Sequence, residues 1–402
     1  MRWLIALLLL VGCDGADTAH TWSGSVETLA NGAIRVTNPA EGSWGEASAW
    51  RLTPELQIGE VEGSTALMFA SISGLEADHE GRIYILDRQA NELRIFNPDG
   101  EHLRTVGRAG EGPGEYKSAN GLLWLPGDSL LIVDQQGGRY SILTRDGDFA
   151  RSVPRTLGFY GWAFLGGLVG GRVYEYASVG RDPEQRPALI GTPLRGSSTI
   201  AADSQSGGAL AQDTILLAAP DALSPEPFRV TASGGGMMMG VPFSPGAVHH
   251  LLRDGDVWHG HGSEFRLVRS NLASDTLMEV LLAADAAAVT PAELADWESS
   301  ATVARFREMG GRLDMSRIPR TKPFFDSLYR DPDGFLWVSV PSGPEDTLFA
   351  IFDPEGRYLG RVGVEGFRRL QWVPPVVRNG QLYLAGQDEL EVPRVHVYRI
   401  ER

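Results

Sequence analysis

Four of the eight histidines crowd into residues 249–261: His249, His250, His259 and His261. Asp254-Gly255 reads as a two-residue hairpin turn, which pairs Leu252 with Val257 and His250 with His259. Strand alternation then puts His250, His259 and His261 on one face, where three imidazoles could take up Zn²⁺ or a similar divalent ion. The same face could equally be packed sheet surface with polar fillers, and one hairpin lacks the spread of ligands usual at open catalytic metal sites. A second chemical stretch is the Gly-rich run from Arg108 to Lys117, with Arg108, Glu111, Glu115 and Lys117 as charged members. It is no phosphate loop, because no Lys-Ser/Thr follows its glycines and no helix follows a strand there. No Gly-x-Ser-x-Gly nucleophile motif and no dinucleotide fingerprint occurs. Beyond a divalent ion on the histidines, no cofactor is expected.

These residues need elements to hold them, and one phrase recurs that supplies the elements. A Gly opens a hydrophobic strand at Gly81, Gly127, Gly171, Gly255, Gly334 and Gly380, at spacings of 46, 44, 84, 79 and 46 residues. Units of roughly 40–50 residues built from a few short strands indicate a β-propeller. Six openings imply six four-stranded blades, with insertions in the two long gaps. The turns at residues 97–100, 145–147 and 353–356 each end in Gly and precede a strand, as outer hairpins of blades would. Asp87 and Asp134 hold the same place in successive units and are expected to bond backbone amides after the strand. Residues 188–192 and 213–218 read as strands of the third unit. The Gly-Gly-Gly-Met-Met-Met run at 234–239 reads as a flexible connection and a strand edge packed between blades.

Residues 81–100 run strand, Asp, loop with Asn, strand, Pro-Asp-Gly turn. They resemble an NHL repeat, and the chain as a whole resembles bacterial six-bladed NHL-like propellers. That resemblance implies an all-β six-bladed propeller. Calcium-dependent lactonases and peptide-amidating lyases share the form, but their ligand sets cannot be mapped onto this sequence. In such a ring the loops carrying Arg88, Arg181 and the 108–117 link share the face with the channel mouth, so Arg88, Arg108, Glu111, Glu115, Lys117 and Arg181 are candidate ligand-binding residues.

The sixth unit, from residue 368 to the end, lacks one strand. Residues 50–58 resemble blade-ending segments and are expected to complete it, closing the ring with the N-terminal chain. One helical insertion is expected near 290–310, within 283–320. Thr290-Pro-Ala-Glu293 forms a capping box, Leu294, Trp297, Ala301 and Ala304 share one face, and Gly310-Gly311 ends the helix. It is expected to cover apolar surface on the rim, with a lid or docking element as the functional alternative.

Residues 1–12 have Arg2 followed by a short apolar run, too short to span a bilayer and of the kind that directs export. Leu10-Val-Gly-Cys13 resembles the bacterial lipobox, which implies cleavage before Cys13, the only cysteine, and lipid attachment to it. Residues 13–23 then form a tether and 24–402 the propeller. The net charge of −15 disfavours nucleic acid, and a single cysteine excludes an intrachain disulfide. The expected protein is a monomer, lipid-anchored in a bacterial cell envelope and facing the periplasm or the cell surface. It binds a glycan, peptide or protein partner at the channel face and touches the membrane only through the anchor. The alternative is a metal-dependent hydrolase or lyase with its site in the channel.

Overall fold

The computed structural model describes residues 21–155, 157, 164, 166–179, 186–194, 214–217, 225–232, 235–343, 346–388 and 390–402. Among the described residues six blade sheets follow one another along the chain, with a separate two-stranded hairpin between the third and the fourth. Blade one is Ile72–Ala77, Ile83–Asp87, Glu92–Phe96 and His102–Val106; blade two is Ala119–Leu125, Ser129–Asp134, Arg139–Thr144 and Phe149–Pro154. Blade three is Gly166–Val169, Arg172–Val179, Arg186–Pro193 and Thr214–Leu216; blade four is Ala247–Leu251, Val257–His261, Arg266–Ser270 and Thr276–Leu282. Blade five is Ser327–Arg330, Leu336–Val340, Thr347–Phe352 and Tyr358–Val364. In blade six the innermost position is split between Arg368–Arg369 and Val376–Arg378, followed by Gln381–Gln387 and Pro393–Glu401.

What makes these sheets a ring is where the apolar side chains go. Each sheet buries both faces against its neighbours, and six separate clusters fill the six gaps. Tyr84, Leu93 and Trp124 join blades one and two; Val133, Tyr140 and Val173 join two and three. Leu189 and Leu251 join three and four, Phe265 and Phe352 join four and five, and Trp337 and Leu384 join five and six. Ile85 and Val397 then join six back to one. The fold is an all-β six-bladed propeller.

The missing strand comes from the N-terminal side, as the pattern of blade endings indicates. Arg51–Ile58 pairs antiparallel with Pro393–Glu401, with Leu52 opposite Ile400 and Leu56 opposite Val397. The ends are pinned further by Arg402, whose guanidinium lies 4.6 Å from the Trp50 ring and 2.8 Å from the Asp333 carboxylate. A feature with no counterpart in the sequence pattern precedes this strand. A hairpin of Ser25–Thr28 and Ile34–Asn38 extends blade four, with Ile34–Asn38 running parallel to Thr276–Leu282. Asn38, buried, donates to the carbonyls of Leu281 and Gly356 and accepts from the Tyr358 amide at 2.7 Å, so it ties the hairpin to blades four and five at once.

The insertion differs from expectation in two ways. Its capping box is present, with Glu293 N–H donating to Thr290 Oγ1 and Thr290 N–H to Glu293 Oε2. But the helix breaks: α1 is Pro291–Ser299, Ser300 leaves helical geometry at ψ 148°, and its hydroxyl caps α2, Ala301–Glu308. The break resets the buried face. Val303 and Phe306, not the Leu294–Trp297–Ala301–Ala304 stripe, become the fully buried residues. They pack on Phe228, Met239 and Val241. The Met run is not an edge between blades: Gly235–Met239 pairs with Phe228–Ala232 in a separate hairpin under α2.

Candidate functional site

The first turn of each blade, joining its innermost strand to the second, marks one end of the channel; the blade links and the loops after the second strand mark the other. The two ends handle charge differently.

At the link end the sequence candidates largely neutralise one another. Arg108 reaches Glu115 at 2.6 Å and Lys117 reaches Glu111 at 2.6 Å. Glu115 also accepts from the amides of Glu111 and Gly112, and Arg139 donates to the carbonyls of Glu111, Gly112 and Glu115. The Gly-rich run is a loop stapled by its own charges. Arg88 is exposed just past the end of Ile83–Asp87. Arg181 and Cys13 lie outside the described residues. Asp87 accepts from the amides of Ala70, Ser71 and Gln89, and Asp134 from those of Lys117, Ser118 and Gly137, which is the turn-holding role expected of them. At the same end a cleft of about 590 Å³ opens between the start of α1 and the loops of blades five and six. There Lys322 is held by Glu293 at 2.7 Å and by the Ser342 carbonyl at 3.3 Å.

The histidine set is redistributed by the register. Leu252 N–H donates to Asp256 O and Gly255 N–H to Leu252 O, so the turn is one residue longer than a two-residue hairpin, with Gly255 at φ +95°. His249 therefore faces His259, and His250 faces Trp258. The shift sends His250 to the opposite face from His259 and His261, correcting the expected grouping. His249 and His259 stack at 6.1 Å, and His259 meets Ser270 Oγ at 3.0 Å. His261 occupies the place in blade four that Asp87 has in blade one, nine residues after the start of the first turn, and bonds the Ser263 hydroxyl and amide. Among the described residues no three His, Cys, Asp or Glu side chains gather closely enough to hold a metal.

His250 instead joins a cluster at the turn end of the channel. Glu76 stands at the end of blade one's innermost strand and accepts a hydrogen bond from the Trp124 amide, on blade two's innermost strand, at 3.0 Å. Tyr329, at the matching place in blade five, accepts from the Val377 amide of blade six at 3.5 Å, and its ring lies 5.4 Å from that of His250. Arg330, Arg378 and Arg253 complete the group from blades five, six and four. Asn379 donates to the His79 carbonyl at 3.1 Å, so the first turns of blades six and one are tied below it.

The electrostatics follow from enclosure. Burial raises the Glu76 carboxyl to about 7, against the pull of the Trp124 amide and the Arg378 and Arg253 guanidiniums. Burial, with Arg330 nearby, lowers His250 to about 4, so its imidazole is neutral at pH 7. Burial first, then the Glu76 charge, raises the Tyr329 phenol, which stays protonated. Each of Glu76, His250, Tyr329, Arg330 and Arg378 retains some accessible surface, as channel-lining residues do. Among the described residues none of Arg253, Arg330 and Arg378 has a carboxylate partner, and the buried Nε of Arg378 has no hydrogen bond. Strands spell these residues as single letters far apart in sequence, so no local motif could announce them. The only signal was their recurrence one or two residues before a first turn.

A family model described as a 6-bladed β-propeller matches residues 62–139. No curated protein matches the chain. Among solved structures, a member of the duf4221 family from Bacteroides vulgatus is 10% identical, with 88% of this chain and 98% of that one covered and a TM-score of 0.45. A Bacteroides fragilis protein named as a candidate exported protein is 10% identical over 92% of this chain and 100% of its own, with a TM-score of 0.43. A streptogramin B lyase is 8% identical over 88% and 98%, at 0.42. These likenesses carry nothing about activity. Among the described residues no helix is long and apolar enough to cross a membrane.

Proposed function

We propose that this protein is a lipid-anchored component of a bacterial cell envelope, tethered through Cys13, that binds a ligand at the turn end of its propeller channel. The observation that supports this reading most is the convergence of Glu76, His250, Tyr329 and Arg378 from four different blades around one opening. A closed ring holds those side chains in place before any ligand arrives, which lowers the ordering cost of binding. Tyr329 accepts from a backbone amide and so keeps its own proton for a ligand. The binding site proposed from the sequence, at the 108–117 loop, gives way here to the opposite mouth, because the loop charges are spent on each other.

The enzymatic alternative rests on Glu76 alone. A carboxyl titrating near 7 beside a protonated phenol suits proton transfer in a hydrolase or lyase. Two measurements test the primary reading. The mass of the mature N-terminal peptide should show an acylated Cys13, and Cys13→Ser should release the protein from membranes. A small-molecule thermal-shift screen on the full chain in detergent should return ligands whose protection is lost in Tyr329→Phe. Membrane retention of the Cys13→Ser variant would overturn the anchor, and hits indifferent to Tyr329 would overturn the site.

A further inference from the structure

We infer that the ligand taken up at the turn end of the channel is a small oxyanion, carrying a carboxylate or phosphate group, held by Arg253, Arg330 and Arg378 with the Tyr329 hydroxyl as a neutral donor. The inference rests on the channel-binding reading above and adds the chemical class.

Several part-buried guanidiniums elsewhere are matched: Arg35, Arg94, Arg145, Arg155, Arg266, Arg369 and Arg394 each have a carboxylate within ion-pair distance. In a protein of net charge −15, carboxylates are in excess. Around the channel end Glu76 lies near Arg378 and Arg253, and the turn carboxylates Asp254 and Asp331 adjoin Arg253 and Arg330, yet among the described residues none of the three arginines forms an ion pair with any of these acids. Burial raises the Glu76 carboxyl to about 7 against the pull of Arg378 and Arg253, so near neutral pH it offers them only part of a charge and, among the described residues, no ion pair. Among the described residues its one hydrogen bond is accepted from the Trp124 amide.

A buried guanidinium without an acceptor is unfavourable, and native structures rarely leave one. Arg378 shows the deficit at a single atom, its Nε, buried and without a hydrogen bond. Arg378 directly precedes the first turn of blade six and Arg330 that of blade five, while Arg253 sits in the turn of blade four. They stand on three consecutive blades and border one stretch of the channel end. His250 between them is neutral and adds no competing charge. An oxyanion entering here meets planar five-donor forks suited to two-oxygen groups and a phenol that cannot ionise against it. A cation would meet the guanidiniums and gain only the partly neutral Glu76. A neutral ligand would leave the Arg378 Nε as it is.

The test is calorimetric titration of the full chain, in detergent at pH 7, with inorganic phosphate in one arm and succinate in the other. Saturable one-to-one binding in either arm is expected, and the stronger arm tells phosphate from carboxylate. Arg378→Gln should weaken it tenfold or more, the size of one lost charged hydrogen bond. Arg253→Gln, at an exposed turn where folding is not at risk, should weaken it severalfold, and Arg108→Gln at the link end should leave it unchanged. Binding in neither arm, together with neutral or cationic screen hits that Tyr329→Phe abolishes, overturns the oxyanion class and leaves the channel site standing. Absence of any ligand sensitive to Tyr329, Arg378 or Arg253 overturns both. Anion binding indifferent to Arg378→Gln and Arg253→Gln places the anion elsewhere and overturns the inference.

Discussion

The link between blades one and two and the turn end of the channel both gather charged and polar side chains, but they use them for opposite ends. In the link, Arg108, Glu111, Glu115 and Lys117 close on each other, and Arg139 collects the carbonyls that remain. In the channel, Glu76, Arg253, Arg330 and Arg378 form no ion pairs among the described residues, and enclosure shifts the titration of Glu76 and of its neighbours His250 and Tyr329 instead. A conspicuous charged run in sequence can be a self-contained staple. Scattered single residues, brought together by a ring, can carry the unsatisfied chemistry.

The largest test of this contrast is acid. His249, His250 and His396 are each lowered to about 4, by burial first in every case and then by His259, Arg330 and Arg394 respectively. Unfolded histidine titrates near 6.5, so the unfolded chain binds more protons below that pH, and the stability these groups contribute is lost as pH falls from about 6.5 towards 4. Glu76, raised, acts oppositely: its penalty is absent below about 4.5 and fully present above about 7. Three histidines outweigh one carboxyl, so a net loss of several kcal/mol by pH 4 is expected, each tenfold change in a group's proton affinity on folding being worth about 1.4 kcal/mol. Denaturant titrations at pH 7 and pH 4.5 with equal midpoints would contradict it.

Asp87→Ala comes next. It removes the acceptor for amides of the link into blade one and a carboxylate 3.7 Å from Arg94, which keeps its ion pair with Glu92 and its bond to the Met68 carbonyl, for a cost of about 2–4 kcal/mol. The unfolding midpoint reads this, and channel ligands should be unaffected. Glu76→Gln should do the reverse, raising stability by roughly 1–3 kcal/mol at pH 8 and by almost nothing at pH 4.5; a pH-independent change would show that Glu76 does not titrate as its enclosure dictates. The smallest effect belongs to the link: Arg108→Gln breaks an exposed pair and should cost under about 1 kcal/mol, most of it screened away in high salt. A large loss there would erase the distinction between the two regions.

The blades were legible because their turns need particular residues. Gly100, Gly147 and Gly356 sit at φ +83°, +86° and +82°, where a side chain is strained, so the glycines had to appear and their spacing could be counted. The closing strand was legible because an open edge is unfavourable and one blade was a strand short. The histidine hairpin differs from its expected register by one residue, because Asp-Gly suits a two-residue turn and the end of a longer one equally, and side chains alternate with a period of two. The channel cluster was out of reach for a related reason. Which letters of an innermost strand look into the opening depends on register and on the neighbouring blade, and neither leaves a local signature. The hairpin at 25–38 left none either, since a parallel partner at 276–282 is invisible to any short window.

The chain that runs from that hairpin to the closing strand passes over blade five on its way, with the amides of Ser43 and Trp44 donating to the carbonyls of Tyr358 and Leu359. It is a belt across three blades, made first and fastened last. Leu52 waits for Ile400, and Asn38 for Gly356, so although Ile34–Asn38 can pair earlier with Thr276–Leu282, the belt cannot close until the last strand is made. Contacts this distant slow folding, so closure of the ring is expected to be among its last steps.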